Sequence, residues 1–229
     1  MRKIVFDIET CAYPFESLAE SQQEYLLRFA EKEKHEDIRS EKIDEAIRYL
    51  SLYPFTAKVI SIGIFDVEKE KSFVYYESDS EEEWHAEDKA INYKGLSEPE
   101  MLKSFWRIAE VTDQTISFNG RGFDIPFLML RSAIHKIRPS KNFIANRYDT
   151  SSHIDLLEQF TFFGLIRKFN LDFYCHAFDI ESPKSKGISG MEVKNLYEAG
   201  RIKDIAVYCG QDILATYKLY KIWEEFLHI

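Results

Sequence analysis

The sequence predicts an α/β fold with a central mixed five-stranded sheet flanked by helices and a helical hairpin inserted after the first strand. Three observations carry this expectation. Residues 1–10, Met-Arg-Lys-Ile-Val-Phe-Asp-Ile-Glu-Thr, form an apolar strand that ends in two acids. Residues 57–67 and 71–77 are rich in Val, Ile, Phe and Tyr and are separated by a turn, so they read as a β-hairpin. Residues 115–118 are a short apolar strand that stops at Asn119-Gly-Arg-Gly122, with a helix opening at Asp124. That order of strand, loop and helix places a ligand side at the strand's C-terminal end.

The remaining elements follow in order. Ser17-Leu-Ala-Glu20 has the form of a capping box, and Ile43, Ala46, Ile47 and Leu50 recur at helical spacing, so residues 13–53 read as a charged helical hairpin. Residues 77–96 are acidic and read as a loop, with room for one helical turn around 80–83. Ser97 to Glu100, with Pro99 in the first turn, opens a helix carrying Leu102, Phe105, Trp106 and Ala109 on its apolar side. The helix from Asp124 runs to about His135, and residues 152–156 supply a fifth strand. Shorter helices are expected near 170–177 and 191–198, separated by a mobile turn at 182–187, with Gly200 as a C-cap. The last helix spans about 203–227, with Ile205, Cys209, Ile213, Thr216, Tyr220, Trp223 and Leu227 as its core stripe.

A chain of 229 residues, 45% hydrophobic, can bury a sizeable core and is expected to form one domain, residues 1–229, with the helical insertion at about 13–53. Cys11, Cys175 and Cys209 are odd in number and widely spaced, which argues against a disulfide framework or structural zinc site and suits a reducing, cytoplasmic setting. No stretch approaches the ~18 apolar residues of a membrane helix, so no membrane partner is expected. The net charge of −9 would ordinarily count against nucleic acid. Residues 135–147 nevertheless gather Lys136, Arg138, Lys141 and Arg147 around Phe143, either as a surface for a substrate strand or as a solvated loop.

On the first strand, alternation puts Val5, Asp7 and Glu9 on one side and Ile4, Phe6 and Ile8 on the other. Neighbouring carboxylates resist ionising together, and a hard divalent cation removes that cost, although a strand end can also simply solvate its acids. On the last helix Tyr208 and Asp212 are four residues apart and share a face beside the apolar stripe, so Asp212 can meet the first strand. Taken singly, Asp212 suits a surface acid, Tyr208 a half-buried aromatic, and Asp124 a helix N-cap.

Their order and context are more specific. Asp7-Ile-Glu9 on a first strand, Asn119-x-x-x-Phe123-Asp124 at a strand-to-helix turn and Tyr208-x-x-x-Asp212 on a late helix resemble the three motifs of the DnaQ-like, or DEDD, 3′-to-5′ exonucleases. The Tyr resembles the DEDDy branch. Ser117-Phe-Asn-Gly-Arg-Gly-Phe-Asp-Ile-Pro-Phe-Leu and Tyr208-Cys-Gly-Gln-Asp-Ile-Leu-Ala-Thr-Tyr are also similar to the proofreading exonuclease domain of family B DNA polymerases.

This resemblance implies a ribonuclease H-like fold and a site where Asp7, Glu9, Asp124 and Asp212 hold two divalent ions, Mg²⁺ or Mn²⁺. It implies that Asp7 bridges the ions, that Glu9 and Asp212 serve the nucleophile's ion, and that Asp124 supports the other. Tyr208 would position the attacking water, and Asn119, Phe123 and Thr10 would contact the 3′-terminal nucleotide, with Phe123 equally suited to the core. The expected activity is 3′-to-5′ hydrolysis of single-stranded DNA or frayed 3′ ends, releasing nucleoside monophosphates. RNA trimming, or a catalytically idle binding protein of the same fold, are the alternatives. Two departures stand out: the insertion at 13–53 is longer than the usual turn between the first two strands, and no polymerase body follows the exonuclease motifs, as in a free-standing nuclease. Asp155 reads as structural, and Gly120-Arg-Gly122 lacks the third glycine of a dinucleotide fingerprint.

Overall fold

Alternation along β1 (Lys3–Ala12) decides the architecture, because its two faces are covered by different helices. The computed structural model describes residues 1–86, 90–144, 146–183 and 192–228. β1 pairs antiparallel with β2 (Ala57–Asp66), which pairs antiparallel with β3 (Lys71–Glu77). On its other side β1 pairs in parallel with β6 (Gln114–Ser117), and β6 in parallel with β7 (His153–Asp155). These five strands are the expected mixed sheet.

The sheet has two further strands, β4 (Glu83–His85) and β5 (Ile91–Leu96), giving the order β4-β5-β3-β2-β1-β6-β7. The expectation of a loop over 77–96 is therefore corrected. β5 pairs in parallel with β3, and Trp84 stacks on Tyr93 at 3.8 Å between ring centroids while its indole N–H donates to the Tyr76 hydroxyl. Aromatic stacking across the pair holds this edge, together with the inward alternation of Ile91 and Tyr93 on β5.

Ile4, Phe6 and Ile8 pack beneath α3 (Glu98–Glu110) and α4 (Asp124–Ile134), with Phe105, Trp106, Phe127 and Leu128. Val5 faces the opposite layer, where α8 (Ile202–Phe226) crosses the sheet beside α5 (Leu156–Phe160) and α6 (Leu171–Ala177). α7 (Val193–Glu198) closes the end of β1 through Val193, Cys11, Ile60 and Ile205. The expected stripe on α8 is buried except at Leu227, which lies past the helix end and is 38% exposed. Gly200 adopts the left-handed φ of 71° expected of the residue that closes α7. Residues 184–187 of the expected mobile turn lie outside the described residues.

The insertion contains α1 (Glu20–Leu27) and α2 (Glu36–Arg48). Ser17 does not cap α1. Its hydroxyl donates to the Pro14 carbonyl in a 3-10 turn, and Gln22 instead reaches back to accept from the Ala19 N–H at 3.0 Å. Leu50, expected on the stripe of α2, is buried in a separate 3-10 turn, Tyr49–Leu52.

Candidate active site

Asp7 and Glu9 stand on the α8 side of β1 near its C-terminal end. Directly opposite Asp7 in the β1·β2 ladder is Gly63. A Cβ at that position would lie 2.8 Å from Ile213 Cγ2 and 3.0 Å from Cys209 Sγ, so the missing side chain is what lets α8 settle onto the sheet there. Close approach of α8 delivers Asp212 to the acids of β1. Between Glu9 and Thr10 the register slips, a bulge of the kind that re-aims side chains beside sites.

Carboxylate oxygens of Asp7, Glu9 and Asp212 all lie within 4.8 Å of one another. Glu9 and Asp212 are buried, whereas Asp7 is partly exposed to a cleft of about 160 Å³ that Phe118, Asn170, Leu171, Asp172, Pro183, Tyr208 and Asp212 also line. Burial pushes the Asp7 carboxyl well above the usual range, and Asp212 adds to the push. Glu9 is raised in the same way by burial, then by Asp7, Asp212 and Asp124. Three oxygen-only donors this close, at a cost in mutual repulsion, match the coordination chemistry of a hard divalent cation.

Asp124 is brought to the edge of this cluster but not into it. It opens α4 at the C-terminal end of β6, where one carboxylate oxygen accepts the Ile8 N–H at 3.1 Å. Burial and then Asp7 raise its pKa, and backbone N–H groups, including that of Ile8, pull the other way. The turn before it depends on glycine. A Cβ on Gly120 would overlap Ser117 Oγ at 2.0 Å, and one on Gly122 would meet Asn119 Oδ1 at 2.9 Å. Asn119 takes the left-handed φ of 62°, a conformation Asn tolerates.

Asp155 anchors this turn from β7. Its carboxylate accepts the N–H groups of Asn119 and Arg121 as well as those of Leu157 and Glu158, so it caps α5 and fixes the loop at once. Tyr208 is buried one helical turn before Asp212 and its hydroxyl hydrogen-bonds that carboxylate. Burial and then Asp212, Glu9 and Asp7 hold the phenol far above its ordinary pKa, so it stays a proton donor throughout the physiological range.

The other sequence-predicted contacts are placed differently. Phe123 is half-buried, its ring 5.5 Å from that of Phe127 at the margin of the core. Thr10 is buried and its hydroxyl donates to the Ser51 carbonyl at 2.7 Å, tying the end of β1 to the insertion. The basic run is not at the cleft. Lys136 and Arg138 follow α4, whose 11 residues span about 16 Å from Asp124. Lys141 donates to the Thr112 carbonyl, Arg147 pairs with Glu158 at 2.7 Å, and Phe143 is core. The cleft residues that sequence reasoning missed are Phe118, Asn170, Leu171, Asp172 and Pro183. Only Asn170 carried a local signal, as the cap of α6, where its side chain accepts the Phe173 N–H.

A protein-family model described as "Predicted 3'-5' exonuclease related to the exonuclease domain of PolB" matches residues 54–226, and the chain belongs to this family. Its match begins after the helical insertion, so Asp7 and Glu9 join the matched residues through the fold. Among solved structures the chain is similar to the family B DNA polymerase from the hyperthermophilic archaeon Pyrobaculum calidifontis, with a TM-score of 0.62 and 15% identity. That likeness covers 98% of this chain and 24% of the polymerase, so the chain spans about a quarter of the polymerase's length. At this identity the likeness establishes the fold, which is ribonuclease H-like. No curated protein matches the sequence.

Proposed function

We propose that the chain is a metal-dependent 3′-to-5′ exonuclease that hydrolyses phosphodiester bonds from the 3′ end of single-stranded DNA or frayed ends and releases nucleoside monophosphates. The observation that carries this reading is the convergence of Asp7, Glu9 and Asp212 within 4.8 Å. In it, Asp7, Glu9 and Asp212 hold divalent ions, Mg²⁺ or Mn²⁺, with Asp124 at the edge for a second. Bound there, such ions supply a lowered water pKa and stabilise charge on the attacking and leaving oxygens.

The chain's own residues do the rest. Tyr208, kept neutral, would orient the attacking water through the hydroxyl that it now directs at Asp212. Water oxygen bonds to phosphorus as the bond to the 3′ oxygen breaks, the water's proton passes to solvent, and the departing 3′ oxygen takes a proton from solvent. Gly120 and Gly122 let backbone approach closely, and Asp155 holds Asn119 where it can meet the terminal nucleotide, with the exposed edge of Phe123 beside it. We further propose that residues 1–229 act as one exonuclease domain. Three buried cysteines with free thiols support a reducing, cytoplasmic setting, and among the described residues no helix is long and apolar enough to cross a membrane.

Digestion of matched 5′-labelled DNA and RNA oligonucleotides with added Mn²⁺ tests this. A descending ladder on DNA, abolished by EDTA, is expected. A single internal cut, no cleavage, or a ladder on RNA alone would contradict it.

A further inference from the structure

Residues 162–173 form an exposed surface that the catalytic assignment does not use. Phe162, Phe163 and Gly164 have successive φ angles of 51°, 59° and 94°. Glycine tolerates this region, but two bulky phenylalanines do not adopt it without a compensating purpose, and such outliers gather at ligand-binding segments. The turn is well held, since the N–H groups of Gly164, Leu165 and Ile166 all donate to the Thr161 carbonyl at 3.0, 2.9 and 3.3 Å. Its effect is to turn apolar side chains outward, with Leu165 84% and Ile166 54% exposed.

Aromatic and cationic groups follow at once. The Arg167 guanidinium lies 5.1 Å from the Phe169 ring centroid, and the Phe169 and Phe173 rings stack at 4.1 Å and 10°. Phe173 is 54% exposed. Among the described residues no carboxylate pairs with Arg167, whereas Lys168 lies 3.7 Å from Glu158. Between Phe169 and Phe173 in the chain, Asn170, Leu171 and Asp172 line the same cleft as Asp7, Tyr208 and Asp212. The exposed surface and the cleft are therefore continuous along one stretch of chain.

We propose that residues 162–173 are a stacking platform for the single strand behind its 3′ end, with bases laid on Phe173 and Phe169 and phosphates met by Arg167. The proposal rests on the exonuclease reading and names where the rest of its substrate lies. An aromatic pair flanked by a guanidinium suits nucleic acid, because every base has a face to stack and the cation supplies local positive charge on a protein of net charge −9. It also replaces the 135–147 run, whose Lys141 and Arg147 are engaged within the fold.

Fluorescence anisotropy of a 5′-fluorescein-labelled dT10 strand, in EDTA so that nothing is hydrolysed, tests it on wild type, Phe173→Ala, Phe173→Trp and Arg167→Glu. Both positions are exposed, so far-UV circular dichroism should be unchanged. Phe173→Ala is expected to weaken Kd about 5- to 100-fold, Phe173→Trp to restore it, and Arg167→Glu to weaken it and flatten its salt dependence. Unchanged affinity in Phe173→Ala and Arg167→Glu would overturn the proposal, as would a loss in Phe173→Ala that Phe173→Trp fails to restore. Failure of wild type to digest the same strand with Mn²⁺ would instead strike the exonuclease reading, which the anisotropy does not measure.

Discussion

The carboxylate of Glu98 and the acids of the cleft are treated in opposite ways. Glu98, at the start of α3, accepts the Val59 N–H at 2.9 Å, two guanidinium bonds from Arg131 at 2.8 and 2.7 Å, and a contact from His135 Nε2 at 2.7 Å. Burial works to raise its pKa, but Arg131, the Val59 amide and His135 outweigh it and the net shift is downward. At the cleft, Asp7, Glu9 and Asp124 are raised well above their ordinary values, and among the described residues no arginine or lysine offsets burial there. Arg131 also donates to Tyr13 and the Pro54 carbonyl, so the Glu98 cluster ties the base of the insertion to the sheet. The fold thus supplies a cation where a buried acid serves packing and withholds one at the cleft. That contrast fits the divalent cation proposed above for the cleft.

Removing an acid should act in opposite directions at the two places. Asp7→Asn is expected to abolish digestion, by 10³-fold or more, while making the metal-free protein more stable at pH 8, because one uncompensated charge is gone. Kinetics and urea unfolding in EDTA check the two halves. Arg131→Met should do the reverse, leaving Glu98 buried without its main partner at a cost of about 3–5 kcal/mol in unfolding free energy, with turnover per folded molecule retained. A metal-free Asp7→Asn less stable than wild type would break the comparison.

Tyr208→Phe sharpens it at the level of chemistry. The ring can stay packed when the hydroxyl is lost, so kcat should fall on the order of 10- to 1,000-fold while KM changes little. Single-turnover digestion at saturating Mg²⁺ reads this directly. An unchanged rate would leave Tyr208 as core alone.

How much of this could be read from sequence depended on whether the signal was local. The acids of β1, the glycine turn before Asp124 and the spacing of Tyr208 and Asp212 each lie within a few residues, and periodicity set the element that carries them. β5 was hidden because Asn92, Lys94 and Gly95 separate its apolar Ile91, Tyr93 and Leu96 behind an acidic run. Gly95 is there for close packing, since a Cβ would meet Ser78 at 2.7 Å. The Glu98–Arg131 pair joins residues 33 apart, and Gly63 matters only through its contact with α8, so neither left a local pattern. Thr10 shows the same limit from the other side, its hydroxyl being committed to Ser51, a partner 41 residues away that no motif indicates.

The smallest expected effect is in the pH dependence of stability. Asp7, Glu9 and Asp124 have raised folded-state pKa values, so what they contribute is present below about pH 4 and lost as pH rises through those values. Glu98 has the opposite sign, contributing above its ordinary 4.5 and losing it as pH falls. His153, buried against Thr115 and lowered to about 3 by burial and then Arg121, also loses its contribution as pH falls below its ordinary 6.5. Metal-free unfolding followed from pH 5 to 9 should therefore show a loss of stability with rising pH that Asp7→Asn flattens.

The central claim is that the acids of β1 and α8 reserve a place for divalent metal. Isothermal titration of Mn²⁺ into wild type and Asp7→Asn, repeated in two buffers of different ionisation enthalpy, tests it most directly. Wild type should bind with an apparent heat that changes with buffer, because raised carboxyls release protons as the ion enters, and Asp7→Asn should bind at least tenfold more weakly. Equal Mn²⁺ binding by the two proteins, or none by wild type, would contradict the account.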